Sequence, residues 1–285
     1  MIHLRCTLLA ACAIVATAPA GAHGDLHEQI ASVDRQIVAQ PQSAALHLRR
    51  AELHRIHREW DAADRDYASV LRLQPGHPEA HWFRARAWLE SGKASSALPE
   101  LDRYLARNPD HVSARIARAR TLIALGRNAQ AAADFGLAIE RWREADPDLY
   151  LERRNAQRGA GIAAAVQLAG IESGIGRLGP VPALEEVALE MEIRAAQWDA
   201  ALSRLDRQLL SSPRKERLHF RRGQVLAQAG RNDQAGAAFR RAREEIEKLP
   251  PALRSPRAAS LLEEQLDLEI GKLGIDAPAS RVSRP

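Results

Sequence analysis

A fixed period of 34 residues constrains the fold of this chain more than any single motif does. Pro41, Pro75 and Pro109 stand 34 residues apart, and the segments between them repeat one pattern of small and large side chains. A period of this length is typical of helix–turn–helix solenoids, in which each unit buries its apolar face against its neighbours. The period therefore predicts an all-α solenoid of antiparallel helix pairs. It also favours binding over catalysis, because such a stack offers a long surface to a partner.

The repeating places carry the residue types that close helix packing requires. In the segment 44–77, the eighth and twentieth residues are Ala51 and Ala63, the twenty-fourth is Tyr67 and the thirty-second is Pro75. Small residues let two antiparallel helices approach closely, and the large residue fills the space beside them. A glycine at the fifteenth place of several segments marks the end of the first helix. Four further segments follow the pattern with substitutions: 78–111, 112–145, 182–215 and 216–249.

The small, small, large and proline series resembles the tetratricopeptide repeat family. Two internal echoes support the resemblance: WDAA recurs at 60–63 and 198–201, and GRNAQAAADF at 126–135 is echoed at 230–239. The resemblance covers 44–249 and implies a right-handed superhelix of six repeats. The expected repeats are 44–77, 78–111, 112–145, 149–181, 182–215 and 216–249.

The segment 149–181 departs from the pattern. Its middle, RGAGIAAAVQ, shows no evident turn and has glycines where a helix is expected. Each glycine inside a helix costs about 0.5–1 kcal/mol relative to alanine. We therefore expect a degenerate fourth repeat, with two additional residues somewhere between 146 and 181.

The ends of the chain are expected to differ from the repeats, because a terminal unit exposes one face to water. Helical spacing of apolar residues predicts an N-terminal capping helix within 23–43 and a C-terminal capping helix within 250–273. The polar remainder, 274–285, is expected to be disordered.

The first 22 residues predict a signal peptide, and hence a periplasmic or secreted bacterial protein. The run CTLLAACAIVATAPA is apolar, and Ala20 and Ala22 are the small residues read at a cleavage site. The run is too short for a comfortable membrane span, so no transmembrane segment is expected after cleavage behind Ala22. Lipidation of Cys12, which follows Leu-Ala-Ala, is the alternative and would give a lipid-anchored envelope-assembly factor. Both cysteines, Cys6 and Cys12, lie inside this segment, so no disulfide is expected in the mature chain.

Charge and motifs favour a binding protein without catalysis. The formal net charge is +5, and arginines are interleaved with Asp and Glu along the repeats. A mixed charged surface and an exported chain both argue against nucleic-acid binding. No G-x-S-x-G, P-loop or H-E-x-x-H pattern is present. We expect no enzyme activity and no cofactor.

Histidines leave metal handling open as a second function class. His54 and His57 lie three residues apart, a spacing at which two imidazoles can share a metal, although the sequence shows no third ligand. Cleavage after Ala22 would expose His23, whose amine and imidazole suit copper(II), with His27 nearby. A periplasmic copper-handling protein is therefore the alternative to a protein-binding adaptor.

The resemblance implies that places two, five, nine and twelve of each first helix line a concave groove. Arginines beside a tryptophan and aliphatic residues would suit a peptide with acidic and apolar groups, or would instead pair with neighbouring Glu and Asp. The lysine–asparagine clamp that some members use for C-terminal carboxylates is not supported. The candidate groove residues are Leu48, Glu52, Arg55, Trp82, Arg86, Leu89, Ile116, Arg120, Arg153, Glu190, Phe220 and Gln224.

Overall fold

The computed structural model describes residues 21–142, 146–250 and 256–274, and these residues form helices joined by turns. The side chains described are those of 25–142, 146–250 and 261–274. The predicted signal peptide up to residue 20, with both cysteines, and the predicted tail beyond Gly274 lie outside the described residues. The helices are α1 (Gly21–Ala39), α2 (Ala44–Ile56), α3 (Trp60–Leu73), α4 (Ala80–Glu90), α5 (Ala94–Arg107), α6 (Val112–Ala124), α7 (Asn128–Arg141), α8 (Pro147–Gly159), α9 (Ala164–Leu178), α10 (Pro182–Arg194), α11 (Trp198–Ser211), α12 (Glu216–Gln228), α13 (Asn232–Lys248) and α14 (Pro256–Lys272).

The prediction of an all-α stack of antiparallel helix pairs is confirmed. The described residues contain no strand, and α2 to α13 form six pairs in chain order. The chain divides into two compact units, an N-terminal half with α1 to α7 and a C-terminal half with α8 to α14. Among the described residues, no helix has the length and apolar composition that crossing a bilayer requires.

The first helix of every pair ends in the same way. One residue at the helix end has a positive φ, between 54° and 77°. The N–H of the following residue then donates to the carbonyl five residues back, at 2.7–2.9 Å. This is the Schellman arrangement, which satisfies carbonyls that the helix leaves open. The left-handed residues are Arg58, Gly92, Gly126, Gly161, Ala196 and Gly230.

The fourth repeat is a regular helix pair, so the prediction that its middle lacks a turn is wrong. Gly161 has a φ of 70° and forms the turn between α8 and α9, and its lack of a side chain permits this conformation. The left-handed residues are spaced 34, 34, 35, 35 and 34 apart. The two additional residues are therefore divided between the spacings on either side of Gly161, and the repeat begins at Pro147 rather than at 149.

The core lies between the two helices of a pair and extends to the next pair, as where Ala87 of α4 joins the buried residues of the first repeat. In the first repeat Ala51, Ala63 and Tyr67 are fully buried. In the last repeat a Cβ added at Gly223 would lie 2.4 Å from a ring carbon of Phe239, so the two helices touch there without a side chain between them.

Helices outside the repeats pack against the first repeat in the N-terminal half and against the last repeats in the C-terminal half. Helix α1 packs Ile30, Val33 and Ile37 against Leu53 of α2. In the C-terminal half, α14 contributes three buried residues to the core cluster of the last repeats: Leu262, Leu266 and Ile270.

Candidate functional site

The first helices of three repeats in the N-terminal half, α2, α4 and α6, carry eight of the predicted groove residues. On α2, Leu48 packs partly against the buried residues Ala51 and Tyr67. Glu52 accepts a hydrogen bond from the hydroxyl of Tyr67. Burial and this bond raise the pKa of Tyr67 well above its ordinary value.

Arg55 is satisfied within the protein. Its Nη1 donates to both carboxylate oxygens of Glu90 at 2.8 Å, and its Nη2 donates to Glu52 at 3.1 Å. Two carboxylates thus bind one guanidinium. Of the two roles expected for the groove arginines, Arg55 therefore has the second, which is pairing with neighbouring acids. The positive charge of Arg55 is therefore compensated within the protein, without a partner.

Arg86 on α4 is arranged differently. Its guanidinium carbon lies 5.7 Å from the centre of the Trp82 ring. No hydrogen bond or ion pair joins Arg86 to any residue that the structure describes. Trp82 is held in turn by Tyr104, at 6.0 Å between ring centres, and by His111, at 5.5 Å. The guanidinium of Arg86 therefore lies beside an aromatic ring that two neighbouring rings hold in place, and its hydrogen-bond donors have no partner among the described residues.

The remaining predicted residues of this half differ in their exposure. Leu89 is half-buried and packs with Trp82 around the core of the second repeat. Ile116 was expected on the surface but is only 8% exposed, because the fifth place of α6 faces the core. Arg120 is exposed on the same helix.

Several other arginines join neighbouring repeats. Arg50 binds both oxygens of Asp66 at 2.7 Å and also Asp34 at 2.7 Å. Arg118 repeats this geometry with Asp134 and Asp102, at 2.7–2.9 Å. These bidentate pairs are structural, and they account for part of the arginine content that the sequence left unassigned.

In the C-terminal half, the corrected register moves the predicted fourth-repeat residue. With the repeat beginning at Pro147, Arg153 occupies the seventh place rather than the fifth. The fifth, ninth and twelfth places belong to Leu151, Asn155 and Arg158. Gly161 was the sequence signal that could have set this register, since it matches the glycines at the fifteenth place of other repeats.

The next two repeats bring together the remaining predicted residues. Glu190 accepts hydrogen bonds from Arg221 at 2.9 Å and from Arg194 at 3.2 Å. Phe220 packs against Phe239 with 5.7 Å between ring centres. Gln224 lies one turn beyond Phe220 on α12, and its Oε1 is 3.5 Å from Arg221.

A cavity of about 570 Å³ lies between α10, α11, α12 and α14. Glu190 and Phe220 are in its wall, and α14 adds Leu261, Leu262 and Gln265. Leu261 is 53% exposed. The contribution of α14 was missed because only a capping role was predicted for this helix.

The histidines near the start of the chain are engaged with a carboxylate. His54 Nδ1 lies 2.6 Å from Glu59 and His57 Nδ1 lies 2.9 Å from it, and these bonds lower the pKa of Glu59. The rings of His27 and His57 meet edge to face at 4.4 Å. Within the described ranges, no group of three or more His, Cys, Asp or Glu is placed to hold a metal ion. The side chain of His23 lies outside the described residues, so the copper hypothesis stays a prediction.

Comparison with known proteins gives a consistent family assignment. One family model described as tetratricopeptide repeat matches residues 48–111 and 192–250, and a second model of the same description matches 89–148. Together they cover more than half of the 285 residues. No curated protein matches the chain.

Similar solved structures are also repeat proteins of low sequence identity. A tetratricopeptide repeat protein from Parabacteroides merdae is 18% identical, over 88% of this chain and 94% of that one, with a TM-score of 0.49. The protein MamA is 16% identical, over 62% and 88%, with a TM-score of 0.48. YrrB, described as a TPR protein with an unusual peptide-binding site, is 15% identical, over 57% and 83%, with a TM-score of 0.49.

Proposed function

Since the chain belongs to the tetratricopeptide repeat family, we propose that it is an exported adaptor that binds a protein or peptide partner. The partner would lie on the exposed faces of the first helices, and the adaptor would perform no catalysis. A fold alone does not determine a function. The proposal therefore depends on what the side chains of these faces leave available.

The arrangement of Arg86 and Trp82 is the observation that carries the proposal. A half-buried guanidinium normally gains two or three charge-assisted hydrogen bonds, as Arg50 does with Asp34 and Asp66. Arg86 has only the face of Trp82. Arginine and tryptophan are also the residues that most often dominate binding energy at protein interfaces.

The chemistry of this surface favours a partner segment with an acidic group next to an apolar one. A carboxylate would pair with Arg86, and an aliphatic or aromatic side chain would pack on Trp82 and Leu89. Because Trp82 is already held by Tyr104 and His111, binding would order few additional side chains.

Quantitative capture from an envelope extract of the source bacterium tests the proposal. The purified chain would be immobilised, and bound proteins would be quantified for the wild type, Arg86→Glu and Arg107→Glu. Arg107 is exposed on α5 of the same repeat, so it provides the same charge reversal on a second helix. We expect at least a tenfold loss of the specific partner, about 1.4 kcal/mol, for Arg86→Glu alone. Equal capture by all three proteins would refute the binding surface.

The exported location has its own measurement. Fractionation followed by intact-mass analysis should find the chain in the periplasm or medium, beginning at His23 and without a lipid. A lipid-modified chain beginning at Cys12 would replace the soluble adaptor with the membrane-anchored alternative, and a cytoplasmic chain with an intact N-terminus would contradict export.

A further inference from the structure

Helices α8 and α10, which contact each other in the C-terminal half, carry three arginines, of which only one is bonded to a carboxylate of the described residues. Arg154 and Arg158 lie one turn apart on α8, and Arg194 ends α10. Arg154 is half-buried, and its Nε is buried without a hydrogen-bond partner. Its Nη1 donates only to the side-chain oxygen of the adjacent Asn155, at 3.2 Å.

The acidic group that interacts with this cluster is already in use. Glu190 attracts Arg154, but it also accepts hydrogen bonds from Arg221 at 2.9 Å and from Arg194 at 3.2 Å. Arg158 is exposed and forms no ion pair with a described residue. Burial, together with the charges of Arg158 and Arg194, lowers the pKa of Arg154.

Arginines elsewhere in the same chain show what a structural role looks like. Arg118 makes three hydrogen bonds to two aspartates, and these bonds raise its pKa. Arg154 has the opposite shift and no carboxylate bond. A half-buried cation without a carboxylate partner costs stability in the free protein, whereas an incoming oxyanion would supply the missing hydrogen bonds.

We propose that Arg154, Arg158 and Arg194 form a binding site for the carboxylates of an acidic peptide segment. The inference rests on the proposed adaptor function and names a second point of contact, separate from the surface around Arg86. Guanidinium groups bind carboxylates in a bidentate manner, so two acidic side chains of one extended segment could be held by the cluster. The side-chain amide of Asn155, whose oxygen already accepts from Arg154, adds a hydrogen-bond donor at the same place.

Fluorescence anisotropy with a labelled octaglutamate peptide tests the site on the purified full chain. The variants are Arg154→Gln, Arg158→Gln and Arg194→Gln, and the control is Arg240→Gln. Arg240 is exposed on α13, so its replacement removes one charge away from the cluster. We expect each cluster variant to weaken binding about tenfold, which corresponds to about 1.4 kcal/mol. The control should bind as the wild type does, and octalysine should not bind.

Thermal unfolding separates a binding role from a structural one. Arg154→Gln should leave the melting temperature unchanged or raised, whereas Arg118→Gln should lower it by removing the bidentate pair with Asp134 and the bond to Asp102. A decrease for Arg154→Gln as large as that for Arg118→Gln would show that Arg154 supports the fold, and would overturn the site.

Two binding results would also overturn the inference. One is no binding of octaglutamate to the wild type. The other is an equal loss for the cluster variants and Arg240→Gln, which would indicate general charge attraction. Either result leaves the Arg86 capture experiment untouched, so failure of this site and failure of the adaptor function are distinguishable.

Discussion

Replacement of Ala196 by glycine should stabilise the protein, although the same change inside a helix would destabilise it. Ala196 has a φ of 54° at the end of α10, whereas four other repeats have glycine at this place with φ between 70° and 77°. A left-handed conformation costs an L-residue about 1–2 kcal/mol. Glycine avoids this cost but loses about 0.5–1 kcal/mol more conformational entropy on folding. The difference leaves a gain of about 0.5–1 kcal/mol for Ala196→Gly.

Ala196 is the better of two positions for this test. Arg58 has a φ of 62° at the same place of the first repeat, but its replacement also removes a long side chain. Ala196 is exposed and contributes only a methyl group, so the backbone effect is isolated. Urea unfolding followed by far-UV circular dichroism would measure the change, with melting temperature as a second readout.

Two glycine variants define the direction of the effect. Gly92→Ala introduces a methyl group at a φ of 77° and should cost about 1 kcal/mol. Gly76→Ala is the matched control, because Gly76 has no positive φ and a Cβ there would meet nothing within 4 Å. It should be neutral or stabilising by about 0.4–1 kcal/mol. A loss of about 1 kcal/mol for Ala196→Gly would show that the turn is not left-handed and would refute the reasoning.

Three further variants test the packing and the buried charges. Gly223→Ala should lower stability by about 1–3 kcal/mol, measured by urea unfolding, because its Cβ would lie 2.4 Å from the buried ring of Phe239. Because the pKa of Tyr67 is raised in the folded state, Tyr67 contributes fully to the free energy of unfolding below about pH 10. Above that pH, the free energy of unfolding falls by about 1.4 kcal/mol per pH unit. Tyr67→Phe should remove that dependence in unfolding curves taken above and below about pH 10, and an unchanged slope would contradict it. Arg204→Met should cost about 3–5 kcal/mol in the same assay, because it leaves buried glutamates without their cation, and a neutral result would contradict this account.

The helix pairs could be predicted because small side chains at the repeating places show where two helices pack closely. Ala51 and Ala63 are fully buried where two helices meet, and any larger residue would force them apart. The turn glycines were predictable for a related reason, since only a few residue types adopt a positive φ. The fourth repeat was misjudged because Gly161 was placed in a helix together with Gly159; Gly159 does lie in α8, but Gly161 forms the turn.

The buried polar pairs could not be predicted from residue type. The fourth place of the repeat, on its first helix, meets the twenty-third place, on its second helix, in several repeats, but the chemistry changes. The pair is His47 with Asp66 at 3.2 Å in the first repeat. In the third repeat Arg115 donates to Asp134 at 3.3 Å. In the fifth repeat these charges are reversed, with Glu185 accepting from Arg204 at 2.6 Å. Packing fixes where a polar pair lies, but either helix can supply the cation, so only the structure shows which one does.

Whether an arginine supports the fold or remains available to a partner depends on its neighbours in space, and part of this information lies in the sequence. An arginine at the seventh place meets acids 16 residues away: Arg118 binds Asp102 before it and Asp134 after it. Arg153 occupies the same place of the fourth repeat, but the residue 16 positions later is Ala169, which cannot accept a hydrogen bond from it through a side chain. The Nε of Arg153 is buried without a hydrogen-bond partner. The fourth repeat therefore has arginines without the acids that satisfy them elsewhere. Since the same helix also presents Arg154 and Arg158, an excess of positive charge at this repeat follows from its own sequence once the register is fixed by Gly161.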